Sequence, residues 1–596
     1  MERVADYVVG RLVEQNIDYI FLITGRGILY LTDAVAKNKE VQGVSTYHEQ
    51  GASYAAMAYA SAKGGMGACL VSTGCAATNA VTAVLCAYQD NLPVIFISGQ
   101  NMLKESTRYT GVPIRTYGSQ EADIINIVQS ITKYAAMVDA PGKIRQEIDK
   151  AIYYANEGRK GPVWIDIPLD IQNARIEASQ LTGWESSEKP YDIPCGDIEY
   201  VINAFRTAVR PVVFLGGGVR SSNAMEQVAT FVDKYSIPVV SSASAADAYG
   251  TAHPLSIGVV GSLGGSRAGN FAVQNADLIL VLGSKLCSQT IGAADQFARE
   301  AKIIVVDIDP QEHTKVGADI DRIIIADIKE FMSHILDREL RTTDREWVEK
   351  CLRWKEIFAV HNETFIHELL CQDKMDLYYF ATVLSDKLPD DATVITDAGL
   401  EELIIPSSIC YRKTQRCLFP ASQGAMGYAI PAILGAFYAG KRNIVAVVGD
   451  GSFMMNMQEL LAVSAQHIPA KIFVINNNMY AIIRKRQNDL FRTRTIGNDP
   501  SDGVAAPDFQ KIAGSFGFAY MSIKKPEQLA SGIEEVLASE DSYICEVSCV
   551  EDQKYFHTSY AINESHKLVK RPLEDLSPFI DRQLFYSEMV AAPIQE

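Results

Sequence analysis

The chain of 596 residues has 11 cysteines but no CxxC pair and no Cys/His cluster at zinc spacing. A disulfide framework and a structural zinc site are therefore not expected. Nor is there an excess of basic charge. The formal net charge is −17, which argues against non-specific nucleic-acid binding. Small phosphorylated ligands stay open to it, because a bound cation or backbone N–H groups receive them locally. No run is apolar over the length that spans a bilayer. The N-terminal "MERVADYVVGRLVEQ" lacks the apolar stretch of a signal peptide. The expected compartment is the cytoplasm, with neither membrane nor nucleic acid as partner. A strand–helix GxGxxG followed by an acidic residue is also missing, which ranks a nicotinamide-dependent enzyme last. No short-period repeat is evident.

What is present is an ordinary globular composition, 48% hydrophobic and 21% charged. The length suits about three domains of roughly 100–200 residues. Apolar runs alternate with helix-period segments, the pattern of parallel α/β sheets. Residues 1–175 hold the expected strands "YIFLIT", "GACLVST", "LPVIFISG" and "GPVWIDIP", with "VQGVSTYH" leading into an Ala-rich helix. Residues 195–340 hold "RPVVFLGGGV", "IPVVSS", "ADLILVLGS" and "AKIIVVDIDP", and the charged amphipathic "RTTDREWVEKCLRWKEIFAVHNE" closes that block. Residues 370–550 hold "ATVITDAG", "NIVAVVGD", "AKIFVINN" and "YICEVSCV". Cys545 and Cys549 share one face of the last run and read as core. The polar "RIEASQLTGWESSEKPYDIPCGD" reads as a linker. Residues 551–596 are too irregular for a sheet and too apolar to be free, so they are expected to cover another surface. The fold class is α/β: three doubly wound parallel-sheet domains with a C-terminal tail.

The densest chemistry lies in "VAVVGDGSFMMNMQELLAVSAQHIPAKIFVINNNMYAI". One strand ends at Gly449-Asp450-Gly451-Ser452, a helix follows, and a second strand ends at Asn476-Asn477-Asn478. In a right-handed βαβ unit both tips lie at the same sheet edge, where ligands of open α/β sheets gather. Asp450 and Asn477 therefore converge. A carboxylate, an amide oxygen and a backbone carbonyl suit Mg²⁺, which takes its remaining ligands from phosphate and water. Gly451 and Ser452 open the helix with N–H groups free to face a phosphate. An Asp-Gly alone marks a turn. The pairing with Asn-Asn at the next strand end is what makes the signal specific.

This pattern resembles the diphosphate and Mg²⁺ motif of thiamine diphosphate-dependent decarboxylases and carboligases. Other landmarks follow in order over nearly the whole chain. "YHEQGASYAAMAYA" resembles the segment that carries the cofactor-activating glutamate, which falls on Glu49. "STGCAATNAVTAVLCAYQDNLPVIFISGQ", "GSQEADI" and "GRKGPVWIDIPLDIQ" resemble first-domain segments of acetolactate synthase large subunits, with Gln120 on the substrate side. "QGAMGYAIPAILGA" resembles the loop that holds the aminopyrimidine ring, with Gly424 and Met426 as its contacts. The resemblance implies a pyrimidine-binding, a central and a diphosphate-binding domain, with the cofactor between two subunits of a homodimer or homotetramer. It places Gly399, Gly449, Gly451, Ser452 and Tyr480 at the cofactor, and Asp450, Asn477 and the Met479 carbonyl at the metal. In the central block, "FLGGGV" and "VVDIDP" leave two readings open: an FAD site, as acetolactate synthases have there, or ordinary turn glycines.

Glu49 has a physical rationale of its own. A carboxyl bonded to the aminopyrimidine nitrogen promotes the imino tautomer, whose nitrogen then takes the thiazolium proton. His48 reads as a satisfied polar group at the helix start. Departures bear on substrate: Cys75-Ala76 replaces a Pro-Gly pair, and Ser119 stands where a Phe is usual. "TDAGLEELII" replaces a Gln-His-Gln stretch; Glu401 beside a diphosphate would repel it, so its side chain is expected to point away. Lys104, Arg108 and Arg115 lie in a longer, more basic segment that faces either solvent or a nucleotide-linked keto sugar acceptor. The tail "RPLEDLSPFIDRQ" resembles acetolactate synthase-like proteins found with surface-polysaccharide biosynthesis. The leading expectation is decarboxylation of a 2-keto acid such as pyruvate and ligation to a keto acid or keto sugar. The alternatives are a lyase for an acyl-CoA or another 2-keto acid, and an inactive regulatory homologue.

Overall fold

The computed structural model describes residues 1–596 apart from 188–191, 372–373, 493, 559, 563–566 and 595–596. Three six-stranded, all-parallel sheets follow one another along the chain. The first holds β1 (Tyr19–Leu22), β2 (Gln42–Ser45), β3 (Gly67–Val71), β4 (Val94–Gln100), β5 (Tyr134–Met137) and β6 (Val163–Pro168). The middle sheet holds β7 (Pro211–Leu215), β8 (Val239–Ser241), β9 (Ser256–Val259), β10 (Leu278–Leu282), β11 (Lys302–Asp307) and β12 (Arg322–Ile325). The third holds β13 (Thr393–Thr396), β14 (Arg416–Leu418), β15 (Ile444–Gly449), β16 (Lys471–Asn476), β17 (Ala519–Ile523) and β18 (Tyr543–Ser548). Interior strands are covered on both faces: every residue of β3, β4, β6, β7 and β10 is buried. That is why they read as continuous apolar runs.

The strand orders show how the blocks are related. The first sheet runs β2-β1-β3-β4-β6-β5 and the third β14-β13-β15-β16-β18-β17, which is the same order. The middle sheet runs β9-β8-β7-β10-β11-β12, the order common in dinucleotide-binding sheets. The first and third sheets share a core. It is built where the helices Glu49–Lys63 and Ala429–Tyr438 cross. Glu49–Lys63 is apolar on nearly all sides, so it is buried rather than amphipathic. Its alanines and Gly435 let the two backbones approach; a Cβ on Gly435 would collide with the Ala55 carbonyl oxygen.

The helix Arg345–Ile357 closes the middle block as expected, burying Trp347, Cys351 and Trp354. The expected linker is less bare than its sequence. Arg175–Ile176 pairs antiparallel with Glu2–Arg3, Trp184 packs on Tyr153 and Tyr154, and its residues 188–191 lie outside the described set. The tail returns to the middle block. Leu573 and Phe585 join that core, and Glu588 accepts hydrogen bonds from Lys350, Arg353 and Trp354. Cys545 is fully buried and its thiol is pushed up to about 12 by burial, as a core cysteine should be. Among the described residues no helix is long and apolar enough to cross a membrane.

Candidate functional site

The two strand tips singled out by sequence do meet. β15 and β16 are parallel neighbours, with Gly449 in register with Ile475. Beyond them, one carboxylate oxygen of Asp450 accepts the N–H of Asn477 at 3.1 Å and of Asn478 at 2.6 Å. Asn477 turns its side-chain oxygen to the Met479 N–H at 3.3 Å. Asp450 is 5% exposed. Burial raises its pKa to about 6, opposed by the backbone N–H groups around it. Gly451 has no room for a side chain, because a Cβ there would enter the Tyr480 ring. Ser452 accepts the Gly427 N–H at 2.8 Å, which ties this tip to the loop carrying Gly424 and the half-buried Met426. Gly424 and Gly427 both have positive φ, 55° and 83°, which suits glycine. Next to them Asp397 accepts the Ala429 N–H at 3.1 Å, while its other oxygen is buried with no hydrogen-bond partner among the described residues.

One expectation is corrected. Glu401 does not point away from the diphosphate motif. It is 4% exposed, and its carboxyl lies where a Cβ on Gly399 would be 2.8 Å and one on Gly449 3.2 Å distant. Gly399 itself has φ 102°. The residue is drawn inward because it opens the helix Leu400–Ser408 directly after β13, so its side chain follows the sheet edge. Burial, with Asp397 and Asp450 nearby, holds it protonated, its pKa raised to about 8, which removes the repulsion behind the expectation.

Glu49 and Gln120 form a separate group. Glu49 begins its helix after β2, capped by the His48 imidazole, which accepts the Gln50 N–H at 3.1 Å. The Glu49 carboxylate accepts from Asn79 at 2.9 Å. Gln120 is exposed at φ 61°, its carbonyl so close to Gly74 that a Cβ there would collide with it. Among the described contacts none joins Glu49 or Gln120 to Asp450, Asn477, Gly424 or Met426. The chain is linked one step away instead. Glu459, fully buried, accepts the N–H of Tyr47 at 3.1 Å and of His48 at 2.9 Å, and Asn456 donates to Gln50 at 3.0 Å. Sequence reading missed Glu459 and Asn79, although "MQELL" after GDGS and "AATN" were both in quoted motifs.

Of the basic residues, Arg108 is paired with Asp123 at 3.1 Å, while Lys104 and Arg115 are exposed. A cavity of about 1010 Å³ opens where the three blocks meet. Gly217, Gly283 and Asp307 line it from the middle sheet, Asp90 from the first, and Glu402 and Ser422 from the third. The glycine turns after β7 and β10 touch, Gly218 donating to the Gly283 carbonyl at 3.0 Å, at the switch point of that sheet.

Three sheets of this topology, with an Asp/Asn pair at one edge, define an α/β protein whose ligand sites lie at the strand ends. Comparison with known proteins narrows this. Residues 2–127 match the thiamine pyrophosphate enzyme N-terminal TPP binding domain, 198–335 the central domain, and 398–547 the C-terminal TPP binding domain. The acetolactate synthase large subunit of Corynebacterium glutamicum is 31% identical over 543 residues, covering 89% of this chain and 84% of that one. That of Lactococcus lactis is 29% identical over 544 residues, covering 90% and 91%. The isozyme 2 large subunit of Escherichia coli is 29% identical over 553 residues, covering 91% and 95%. The chain belongs to the thiamine pyrophosphate enzyme family and is an acetolactate synthase-like enzyme within it.

Proposed function

We propose that the enzyme decarboxylates a 2-keto acid, pyruvate first among them, and joins the two-carbon unit to a second carbonyl compound. The observation that carries this is the meeting of Asp450 with the Asn477–Asn478 turn. A buried carboxyl held, among the described residues, only by backbone N–H groups fits a cation, which would return it to its ionised form. With the Asn477 amide and the Met479 carbonyl it makes an oxygen set suited to Mg²⁺. Gly399, Gly449, Gly451, Ser452 and Tyr480 line the diphosphate side, and Gly424 and Met426 the pyrimidine side. Thiamine diphosphate would supply the electron sink for the charge left by CO₂ loss. Glu49 would hold a proton at the pyrimidine nitrogen, and Gln120 would orient the substrate. In the enzymes this chain resembles the cofactor lies between two subunits, and no described contact joins Glu49 or Gln120 to Asp450, so the reading includes at least a homodimer.

The cavity at the switch point of the middle sheet has the size and glycine-lined turns for FAD, so we assign FAD to it. A second pyruvate as acceptor would give acetolactate. A nucleotide-linked keto sugar would find the exposed Lys104 and Arg115 free to meet its phosphates. The test is CO₂ release from labelled pyruvate with thiamine diphosphate and Mg²⁺, followed by product analysis with pyruvate alone and with keto sugars. No CO₂ with any acceptor sinks the proposal.

A further inference from the structure

Glu546 is an acid inside a strand, and the reaction as described gives it no task. It lies in β18, between β16 on one side and β17 on the other, in register with Val474 and Ser522. Its two carboxylate oxygens reach diagonally to both neighbours. One accepts the Tyr520 hydroxyl at 2.5 Å and the other a side-chain N–H of Asn476 at 2.6 Å. Asn476 is the last residue of β16, directly before the turn that meets Asp450. A carboxylate only accepts hydrogen bonds, so it fixes which end of the Asn476 amide faces it. The amide nitrogen points to Glu546, and the amide oxygen accepts the Asn478 N–H at 2.9 Å. That same N–H is donated to Asp450 at 2.6 Å, so it is shared between two acceptors. The Asn478 backbone is held at φ 59°, and its own side-chain oxygen accepts the Ala506 N–H at 2.7 Å.

We propose that Glu546 is a positioning residue for the cation site: it orients the Asn476 amide so that the Asn478 N–H keeps an acceptor when Asp450 turns to Mg²⁺. This rests on the metal site proposed above. With Asp450 as its sole acceptor, that N–H would compete with the cation for the carboxylate. An N–H abandoned in a partly buried turn would then cost binding free energy. Asn476 removes the competition, and Glu546 holds Asn476 in the required sense. Glu546→Gln keeps the size but carries an amide of its own. The Asn476 amide is then free to turn over and aim its nitrogen at the Asn478 N–H.

The test needs no turnover. Mg²⁺ is titrated into metal-free protein at fixed thiamine diphosphate, and the midpoint is read from the rise in melting temperature. Glu546→Gln should move the midpoint about tenfold upward, and Asn476→Ala by a similar factor. The double variant should bind no more weakly than either alone, because both changes remove the same acceptor. Tyr520→Phe takes away the other described partner of the same carboxylate and should stay within about twofold of the parent. An unchanged midpoint in Glu546→Gln overturns the inference. Should that variant not fold, an unchanged midpoint in Asn476→Ala overturns it equally. Losses that multiply in the double variant also overturn it, by assigning the effect to the charge of Glu546. So does an equal loss in Tyr520→Phe, which would assign the effect to strand packing. A parent protein with no Mg²⁺-dependent rise overturns the proposed metal site itself, which distinguishes the two failures.

Discussion

The first and third sheets share one strand order, yet equivalent loops carry different chemistry. After β3 the chain runs Ser72-Thr73-Gly74-Cys75, and after its counterpart β15 it runs Asp450-Gly451-Ser452. After β2 comes Glu49, and after its counterpart β14 comes the loop with Gly424 and Met426. The helices that follow these two loops, Glu49–Lys63 and Ala429–Tyr438, are the pair that cross in the shared core. One scaffold is thus used twice, and only the loop residues decide what each copy does. In the third sheet those residues gather at one edge, where the proposed cation and diphosphate site lies. In the first they present a single carboxylate outward.

If that division is right, the largest effect comes from the first sheet. Glu49→Gln should lower turnover about 10²–10⁴-fold while leaving the thermal transition unchanged, because the only described hydrogen bond to its carboxylate comes from Asn79. Full activity would reduce the first sheet to a support and break the contrast. Next, Asp450→Asn should weaken Mg²⁺-dependent cofactor binding at least about 100-fold. The cofactor-induced rise in melting temperature reads this. An unchanged rise would show that the strand tips of the third sheet are ordinary turns.

What sequence revealed of this fold was its interior. In the middle and third sheets the expected strands are the four central ones, and the edge strands Ser256–Val259, Arg322–Ile325, Arg416–Leu418 and Ala519–Ile523 went unread. These strands are short, and Arg322 and Ile323 are exposed, although Ser256–Val259 is mostly buried. The Asp450–Asn477 pairing was legible because topology forces neighbouring parallel tips together. Glu401 was misjudged because its charge was assumed, and charge depends on burial that no local pattern reports. Glu459 was missed for a related reason: its partners, Tyr47 and His48, lie in a different block of the chain.

The joint between the two sheets sharpens the comparison at smaller scale. Gly435→Ala places a Cβ against the Ala55 carbonyl oxygen, where the helices have no slack. It should cost about 1–3 kcal/mol, read as a lower denaturant midpoint. A cost near zero would mean that the two helices slide freely and that the shared core tolerates separation.

The smallest effect is the most informative about that joint, because it is electrical rather than steric. Glu459 comes from the third block and accepts two N–H groups of the loop that leads into Glu49. Burial raises its pKa from 4.5 to about 7, against the pull of those N–H groups. The folded state therefore binds this proton more tightly than the unfolded chain does. Its stabilising effect is complete below about 4.5 and is lost as pH rises through about 7. Glu459→Gln keeps an acceptor for the same N–H groups but does not titrate. The stability of the parent protein relative to this variant should thus fall by on the order of 1 kcal/mol between pH 5 and pH 8. The other buried carboxyls titrate in both proteins and cancel. Urea unfolding of the two cofactor-free proteins across that range measures it. A difference that does not change with pH would mean that Glu459 is already ionised at pH 5, with the N–H groups of Tyr47 and His48 outweighing burial at the seam between the sheets.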